Sequence, residues 1–352
     1  MTDNKRKFYH NNKKNRGKKK NKVNDFSHIN IEELKNNGPP ACPLCGNSDK
    51  ENIVLFSTRL DRLYYSCSVC SLVYMHQAFH VTFDKEKSRY QQHENSTLDT
   101  KYMKFLKPAV DIMIPILEKQ YTSVKPNQLL ALDYGCGPGP TLCHMYKEKD
   151  YIMENYDPYF MPHPQVALAE QLLSNNINNN NDDNNDDAKT TTITSTTSTT
   201  STTSTTPTTT TPTTTTPPKP FDFITCTEAI EHFREPIKDL KKIFQGGLLK
   251  DGGFLLIMTQ FLNDDKMFED WHYPRDFTHI CFFRPNTFEW IASHFGCRIS
   301  ILDKNENIVI FQQQPQQPQQ PHPIALCGAV DDDNGNTKQD HISSTTENTG
   351  PQ

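Results

Sequence analysis

A short apolar run that ends in an aspartate and three alternating glycines constrains this chain more than any other segment. Residues 130–139 read Leu-Ala-Leu-Asp-Tyr-Gly-Cys-Gly-Pro-Gly, and a buried strand is predicted over 128–134. Glycine adopts positive φ freely and lets backbone amides approach a ligand that a Cβ would hold away. The pattern therefore predicts a nucleotide-type pocket on an α/β sheet. A dinucleotide site would need a third glycine where Pro140 stands, which disfavours that class of pocket.

Composition divides the 352-residue chain into packed and unpacked parts. Only 34% of the residues are hydrophobic, which is too few for the whole chain to pack around a core. Three low-complexity segments account for the deficit, and we predict that they are disordered: a Lys/Asn-rich arm (1–37), an Asn/Asp then Thr/Ser/Pro insertion (174–218) and a Gln/Pro and acidic tail (314–352). The remainder is long enough for one catalytic domain and a small module.

Charge and apolar patterning limit the compartment in which the protein is expected to act and the partners that it is expected to bind. No apolar signal segment follows Lys5, Arg6 and Lys7, and no apolar run is long enough for a membrane span, so we expect a soluble cytoplasmic or nuclear protein. In such a reducing compartment the ten cysteines are thiols or metal ligands. The basic arm favours contact with RNA phosphates or nuclear import, and the alternative is a solvated tail without a partner. The oligomeric state is not indicated.

Four cysteines form two Cys-x-x-Cys pairs ahead of the glycine motif. The pairs are Cys42 with Cys45 and Cys67 with Cys70, and short strands are predicted between them. Two such pairs at this separation supply four thiolates to one tetrahedral zinc ion. The spacing predicts a zinc-ribbon-like module over 38–80, against the alternative of unrelated buried thiols. A closed four-thiolate site has no open position for catalysis, so the zinc would be structural.

Predicted helices and strands alternate through the rest of the chain. A helix over 97–121, within a linker spanning 81–126, is expected to join the module to the first strand. The further predicted elements are a helix from 141, a strand over 151–157, a helix over 164–173, a strand over 221–226, a helix over 236–249, a strand over 254–259, a helix over 285–295 and a hairpin over 298–303 and 307–312.

This order resembles the class I, Rossmann-like methyltransferases that depend on S-adenosylmethionine (SAM), over 127–173 and 219–313. The resemblance implies an α/β sheet with helices on both faces and SAM as the cofactor. It also implies that the helix over 97–121, in the linker spanning 81–126, covers that cofactor. The residues that it assigns to cofactor binding are Asp133, Gly135, Gly137, Gly139, Asp157 and Thr227. Asp157 would accept hydrogen bonds from the ribose hydroxyls, and it also suits an Asp-Pro turn. The third strand of the family, whose end contacts adenine, has no counterpart before the insertion.

A Glu-x-x-Glu-His element follows the strand over 221–226. Its residues Glu228, Glu231 and His232 offer two carboxylates and an imidazole to a divalent cation. The pattern resembles the Mg-binding site of small-RNA 2'-O-methyltransferases and ubiquinone-pathway O-methyltransferases, which implies Mg²⁺ here. The alternative is that Glu231 and His232 only shape the loop. His272 and His279, on an aromatic segment after the next strand, are candidates to complete the metal site or to take the acceptor proton.

These observations together predict a SAM-dependent methyltransferase that acts on an oxygen or nitrogen acceptor. The candidate catalytic residues are Glu231, His272 and His279. RNA is the first candidate acceptor because of the basic arm, the zinc module and the Glu-x-x-Glu-His element. A small-molecule O-methyltransferase with purely structural zinc and a non-catalytic zinc-binding interaction protein are the alternatives.

Overall fold

The computed structural model describes residues 26–92, 96–182 and 219–315, with side chains described outside 176–182. Most of the arm, the insertion after residue 182 and the tail after residue 315 lie outside the described residues. The helices are α1 (Ile31–Asn37), α2 (Phe83–Tyr90), α3 (Thr100–Gln120), α4 (Thr141–Lys147), α5 (Pro164–Asp182), α6 (Pro236–Phe244) and α7 (Pro285–Phe295). The strands are β1 (Ile53–Ser57), β2 (Tyr64–Cys67), β3 (Val73–Met75), β4 (Leu130–Tyr134), β5 (Ile152–Tyr156), β6 (Phe221–Thr227), β7 (Leu249–Met258), β8 (Cys281–Phe282), β9 (Arg298–Asp303) and β10 (Ile308–Gln312).

A six-stranded sheet in the order β5-β4-β6-β7-β10-β9 forms the centre of the fold. Strands β5, β4, β6 and β7 are parallel, and β10 runs antiparallel to both of its neighbours. This arrangement confirms the predicted Rossmann-like α/β class. The carboxyl ends of the four parallel strands lie at one edge, so the segments that follow them meet there.

Alternation along the strands gives the sheet two apolar faces. In β4, Leu132 packs into one cluster with buried residues of α5, α6 and α7, whereas Ala131 packs into a second cluster with α3 and α4. Successive side chains of a strand point to opposite faces, so each inner strand serves both layers. Helices therefore cover both faces, as predicted. None of the helices in the described residues is long and apolar enough to cross a bilayer.

The four-cysteine module builds a second, antiparallel sheet in the order β1-β2-β3-β8. Its last strand comes from the other half of the chain, where Cys281 pairs with Tyr74 and Phe282 pairs with Val73. The apolar residues of the module belong to the same core cluster as α6 and α7. The module is therefore built into the larger domain and takes a strand from residues beyond the predicted 38–80.

Two predicted boundaries on low-complexity segments differ from the structure. The arm predicted over 1–37 contains α1, and Phe26, Ile29 and Leu34 pack against the core. These few apolar side chains supply a buried face that average composition does not reveal. Helix α5 extends to Asp182, beyond the predicted start of the insertion. No strand among the described residues lies between α5 and β6, so β5 forms the edge of the sheet.

The predicted helix over 236–249 and strand over 254–259 are also wrong in their bounds. Helix α6 ends at Phe244, and Gly247 adopts a positive φ of 78° that a helix does not tolerate. Strand β7 then begins at Leu249 and passes through Gly252 and Gly253, where its register to β6 shifts. A Cβ on Gly253 would lie 2.8 Å from the carbonyl oxygen of Asp222, so glycine here permits close approach of two strands instead of a chain turn.

Candidate functional site

The glycine loop after β4 turns tightly against the end of β5. Gly135 and Gly137 have positive φ values of 87° and 66°. The amides of Gly135 and Cys136 both donate to the carbonyl oxygen of Tyr156, at 2.7 and 3.0 Å. A Cβ on Gly135 would lie 2.6 Å from Cβ of Ala229. The glycine loop is therefore in direct contact with the loop that follows β6.

Asp157 holds the glycine loop from the end of β5. Its carboxylate accepts hydrogen bonds from the amides of Gly137 (3.0 Å), Tyr159 (2.8 Å) and Phe160 (3.2 Å). Burial raises the pKa of Asp157, and these amide bonds oppose the rise by stabilising the charged form. The predicted turn role of Asp157 is thus visible in the structure, whereas its contact with a ribose stays a prediction.

Asp133 lies buried beneath the same loop. Its carboxylate accepts a hydrogen bond from the hydroxyl of Thr225 on β6 at 3.0 Å. Burial raises the pKa of Asp133 to about 7, despite that hydrogen bond. Gly139 closes the loop, and its carbonyl oxygen accepts from the amide of Thr141 at the start of α4. Thr227 is buried at the carboxyl end of β6.

Tyr102 on α3 lies close to this site, although no sequence pattern singles it out. Burial, followed by the negative charges of Asp133 and Glu228, raises the pKa of Tyr102. Its hydroxyl therefore stays protonated and faces two acidic groups. The predicted helix over 97–121 placed a cover over the site, but only the packing of α3 on the sheet identifies which side chain turns inward.

Glu231 is fully buried in the loop after β6 and is held by two hydroxyl groups. Tyr273 donates to Oε1 at 2.6 Å, and Thr259 donates to Oε2 at 2.9 Å. Burial, followed by the charges of Glu228 and Glu231, raises the pKa of Tyr273, which keeps its hydroxyl a donor. Ligand atoms of Glu231, His232 and His279 lie within 4.8 Å of one another. We call these three residues the Glu-His-His cluster.

Both histidines of the cluster present the same nitrogen to it. Nδ1 of His232 lies 2.8 Å from the carbonyl oxygen of Thr278, and Nδ1 of His279 lies 2.9 Å from that of Tyr273. A carbonyl oxygen only accepts, so each Nδ1 carries the hydrogen and each neutral ring has a lone pair on Nε2. Burial, with the neighbouring His232, lowers the pKa of His279 to about 3. In its neutral form each ring thus keeps an Nε2 lone pair that suits a metal ion or a proton.

The cluster differs in two members from the set that the motif suggested. Glu228 is not part of it, and its own backbone has a positive φ of 48° with its amide bonded to the carbonyl oxygen of Met258. His272 is exposed and also lies outside it. Neighbours in a tight loop point in different directions, whereas His279 reaches the cluster from a distant segment. Sequence proximity therefore identified Glu231 and His232 but could not rank His279 above His272.

The family model described as a methyltransferase domain matches residues 117–300, which is more than half of the chain. The chain belongs to this methyltransferase family. The match includes the glycine loop, Asp157 and the Glu-His-His cluster, and it begins after the cysteine module and α2. The predicted assignment to the methyltransferases is confirmed. No curated protein matches the chain.

Several solved structures resemble the methyltransferase fold at low identity. An O-methyltransferase family protein from Burkholderia thailandensis is 14% identical over 68% of this chain and 64% of its own, with a TM-score of 0.33. A SAM-dependent methyltransferase from Aquifex aeolicus is 12% identical over 64% of this chain and 96% of its own, with a TM-score of 0.34. A chain in the complex of the Haloferax volcanii Trm112 methyltransferase activator and a methyltransferase is 12% identical over 68% of this chain and 98% of its own, with a TM-score of 0.37. The chain thus spans less than two thirds of the Burkholderia protein.

The four predicted zinc ligands of this chain converge on one point. The sulfur atoms of Cys42, Cys45, Cys67 and Cys70 lie within 4.8 Å of one another. Gly46 and Ser71, which follow the two pairs, have positive φ values of 73° and 62°. These residues turn the chain back around the sulfurs, and four converging cysteine sulfurs are the kind of donor set that structural zinc sites use. The convergence therefore fits the predicted zinc-ribbon-like layout.

Proposed function

We propose that this protein transfers a methyl group from SAM to an oxygen or nitrogen acceptor at the junction of the glycine loop and the Glu-His-His cluster. The observation that most supports this is the contact between Gly135 and Ala229, because it joins the predicted cofactor loop to the loop that carries Glu231. The family match supports the reaction class. The acceptor has to approach between these two loops.

The cofactor half of the proposal assigns one role to each residue type. Gly135, Gly137 and Gly139 leave backbone amides without a Cβ in front of them, which suits a ligand that lies against the chain. We propose that Asp157 binds the ribose hydroxyls, that Asp133 lies beneath the amino-acid end and that Thr227 lines the site at the end of β6. Bound there, SAM supplies an electrophilic methyl group on a positively charged sulfur.

The acceptor half assigns a divalent cation to the Glu-His-His cluster. Two imidazole nitrogens and one carboxylate suit Mn²⁺, Zn²⁺ or a similar first-row ion better than Mg²⁺, which prefers oxygen ligands. We therefore propose Glu231, His232 and His279 as ligands in place of the Mg²⁺ set with Glu228. A cation there would polarise an acceptor hydroxyl and lower its pKa. Tyr273 and Thr259 would hold Glu231 in its ligating orientation.

The proposed methyl transfer is a single displacement at the methyl carbon. The acceptor oxygen or nitrogen forms a bond to the methyl carbon while the carbon–sulfur bond breaks, and that electron pair stays on sulfur to give S-adenosylhomocysteine. The proton of the acceptor passes to water. Tyr273 and Thr259 donate to the two oxygens of Glu231 and so hold its carboxyl group in place.

Fractionated labelling tests the reaction and the acceptor class. The purified protein is incubated with methyl-labelled SAM and a cell extract, and label is counted in RNA, protein and small molecules. Label in RNA that decreases as the salt concentration rises supports RNA as the acceptor, and the basic arm is the observation that favours this acceptor. Label only in small molecules excludes RNA as the acceptor. No label in any fraction, with no binding of S-adenosylhomocysteine, contradicts the proposed function.

Metal dependence tests the cluster separately. We expect excess EDTA to lower transfer at least about tenfold and Mn²⁺ to restore it, as removal of a polarising cation would. His279→Gln should weaken Mn²⁺ binding, whereas His272→Gln, a neighbouring histidine outside the cluster, should leave it unchanged. Unchanged activity of Glu231→Ala in excess EDTA would contradict the metal assignment.

A further inference from the structure

Helix α2 lies outside the matched family region, yet it is bonded to the segment that carries His279. Nε and one terminal nitrogen of Arg89 donate to Oδ2 of Asp276, at 3.2 and 2.6 Å. Both side chains are largely covered, with 29% and 14% exposed. Charge-assisted bonds of this kind are stronger and more directional than neutral ones. The pair therefore anchors α2 to the chain around residue 276.

Asp276 connects this ion pair to His232 through hydrogen bonds with Thr278. Its second oxygen accepts from the amide of Thr278 at 3.1 Å and from the Thr278 hydroxyl at 2.7 Å. The carbonyl oxygen of the same threonine is the partner of His232 Nδ1 at 2.8 Å. The backbone group that decides which nitrogen of His232 carries the hydrogen thus belongs to a turn held by Asp276 and Arg89.

A second contact from α2 restrains the ring of His232 itself. The ring of Tyr90 lies edge to face with it at 5.1 Å between centroids. Tyr90 donates its hydroxyl hydrogen to Glu86 at 2.7 Å, and Glu86 also accepts from Arg234 at 2.9 Å. Helix α2 is therefore held on both sides of the histidine, by Arg89 to Asp276 and by Glu86 to Arg234.

We infer that Arg89 is a positioning residue for the methyl-transfer site, which fixes the orientation and the Nδ1–H tautomer of His232 through Asp276 and Thr278. This inference rests on the proposed function only in giving His232 a role in transfer. Without Arg89, Asp276 is a poorly hydrated carboxylate that has lost its cation, and it gains free energy by turning toward water. That movement pulls the carbonyl of Thr278 away from Nδ1.

The tautomer of His232 is the readout because a merely structural role for Arg89 would not change it. Nitrogen-labelled histidine spectra are recorded on the full chain at about pH 8 without added divalent cations, and His232→Gln assigns the signals. We expect Nδ1–H in the natural protein. In Arg89→Gln we expect loss of that single state and a second population with the hydrogen on Nε2. Lys85→Gln, an exposed change on the same helix, should keep the natural spectrum.

A double-substitution cycle separates the link from general damage. Arg89→Gln and Asp276→Asn break the same pair, so the double variant should shift the tautomer no more than either single variant. Additive shifts would overturn the proposed route through Asp276. If Arg89→Gln does not fold, Arg89→Lys keeps the charge but loses the two directed bonds, and we expect a smaller shift of the tautomer in the same direction.

Parallel binding and transfer assays distinguish this inference from the proposed function. A folded Arg89→Gln protein with an unchanged His232 tautomer overturns the positioning role, whatever the activity. A shifted tautomer in a protein whose natural form neither binds S-adenosylhomocysteine nor transfers methyl groups refutes the function and retains the link. A shifted tautomer with transfer lowered and S-adenosylhomocysteine affinity within about twofold supports both.

Discussion

At the scale of single residues, Gly135 has two separate reasons to be glycine. Its φ of 87° lies in the left-handed region that side chains disfavour, and a Cβ would meet the side chain of Ala229 at 2.6 Å. Gly296, at the end of α7, has a φ of 63° but no neighbour within 4 Å of its Cβ position. A comparison of substitutions at the two glycines therefore separates the effect of backbone strain from the effect of steric contact.

Gly135→Ala should lose affinity for S-adenosylhomocysteine by at least about tenfold, which is about 1.4 kcal/mol, because the glycine loop must move off Ala229. Titration calorimetry measures this affinity. Gly296→Ala is the matched control, and we expect it to cost stability by about 1–2 kcal/mol for its left-handed backbone while affinity stays the same. Equal affinities for Gly135→Ala and the natural protein would show that the glycine loop is not the cofactor site.

At the scale of elements, β8 connects the cysteine module to the Glu-His-His cluster. The amide of Met75 in β3 donates to the carbonyl oxygen of Ile280 at 2.8 Å, and the amide of Ile280 donates to that of Glu231 at 2.9 Å. One residue therefore links the second sheet to the loop after β6. A module that packs in this way supports the site through the backbone, even though a closed thiolate site does no catalysis itself.

Loss of a predicted zinc ligand should accordingly weaken the backbone hydrogen bonds at Ile280. We expect Cys67→Ser to lower bound zinc from about one equivalent per chain, as four thiolates predict, and to speed hydrogen exchange at the amides of Met75 and Ile280. Metal analysis and exchange mass spectrometry measure the two effects. Cys143→Ser, a cysteine outside the tetrad, should change neither. Full zinc content in Cys67→Ser would refute the tetrad as the metal site.

At the scale of the whole molecule, the long insertion enters the fold away from the proposed site. It joins the end of α5 to β6. Strand β6 begins at Phe221, which lies at the opposite end of the strand from Thr227. The glycine loop, Asp157 and the Glu-His-His cluster all lie beyond the carboxyl ends of parallel strands. The point at which β6 begins is therefore separated from the candidate site by the length of that strand.

Replacing residues 183–218 with a short glycine-serine linker should leave binding of S-adenosylhomocysteine within about twofold of the natural protein, because loop length alters stability only slowly. Calorimetry on the two purified proteins makes the comparison. The thermal midpoint should also change little. A loss of affinity beyond about tenfold would mean that the insertion contributes to the cofactor site.

Local sequence alone determined the class of the fold and most of its elements. Apolar runs of strand length, the helical spacing in 97–121 and the glycines after Asp133 act over a few residues, so their consequences can be predicted without knowing the packing. The same holds for Cys42, Cys45, Cys67 and Cys70, whose short spacing already limits their geometry. The bounds near Gly253 were mispredicted because the close approach of β7 to Asp222, and not local propensity, decides the path of the chain there.

Tertiary structure alone decided which side chains share a site. His279 joins Glu231 and His232 because β8 pairs with β3 and carries the preceding residues to the end of β6. Tyr102, Tyr273 and Arg89 reach the site from three separate segments, and their contacts span too many residues for any local pattern to indicate. Chain entropy resists such long-range contacts, so only the complete core that offsets this cost determines where they form.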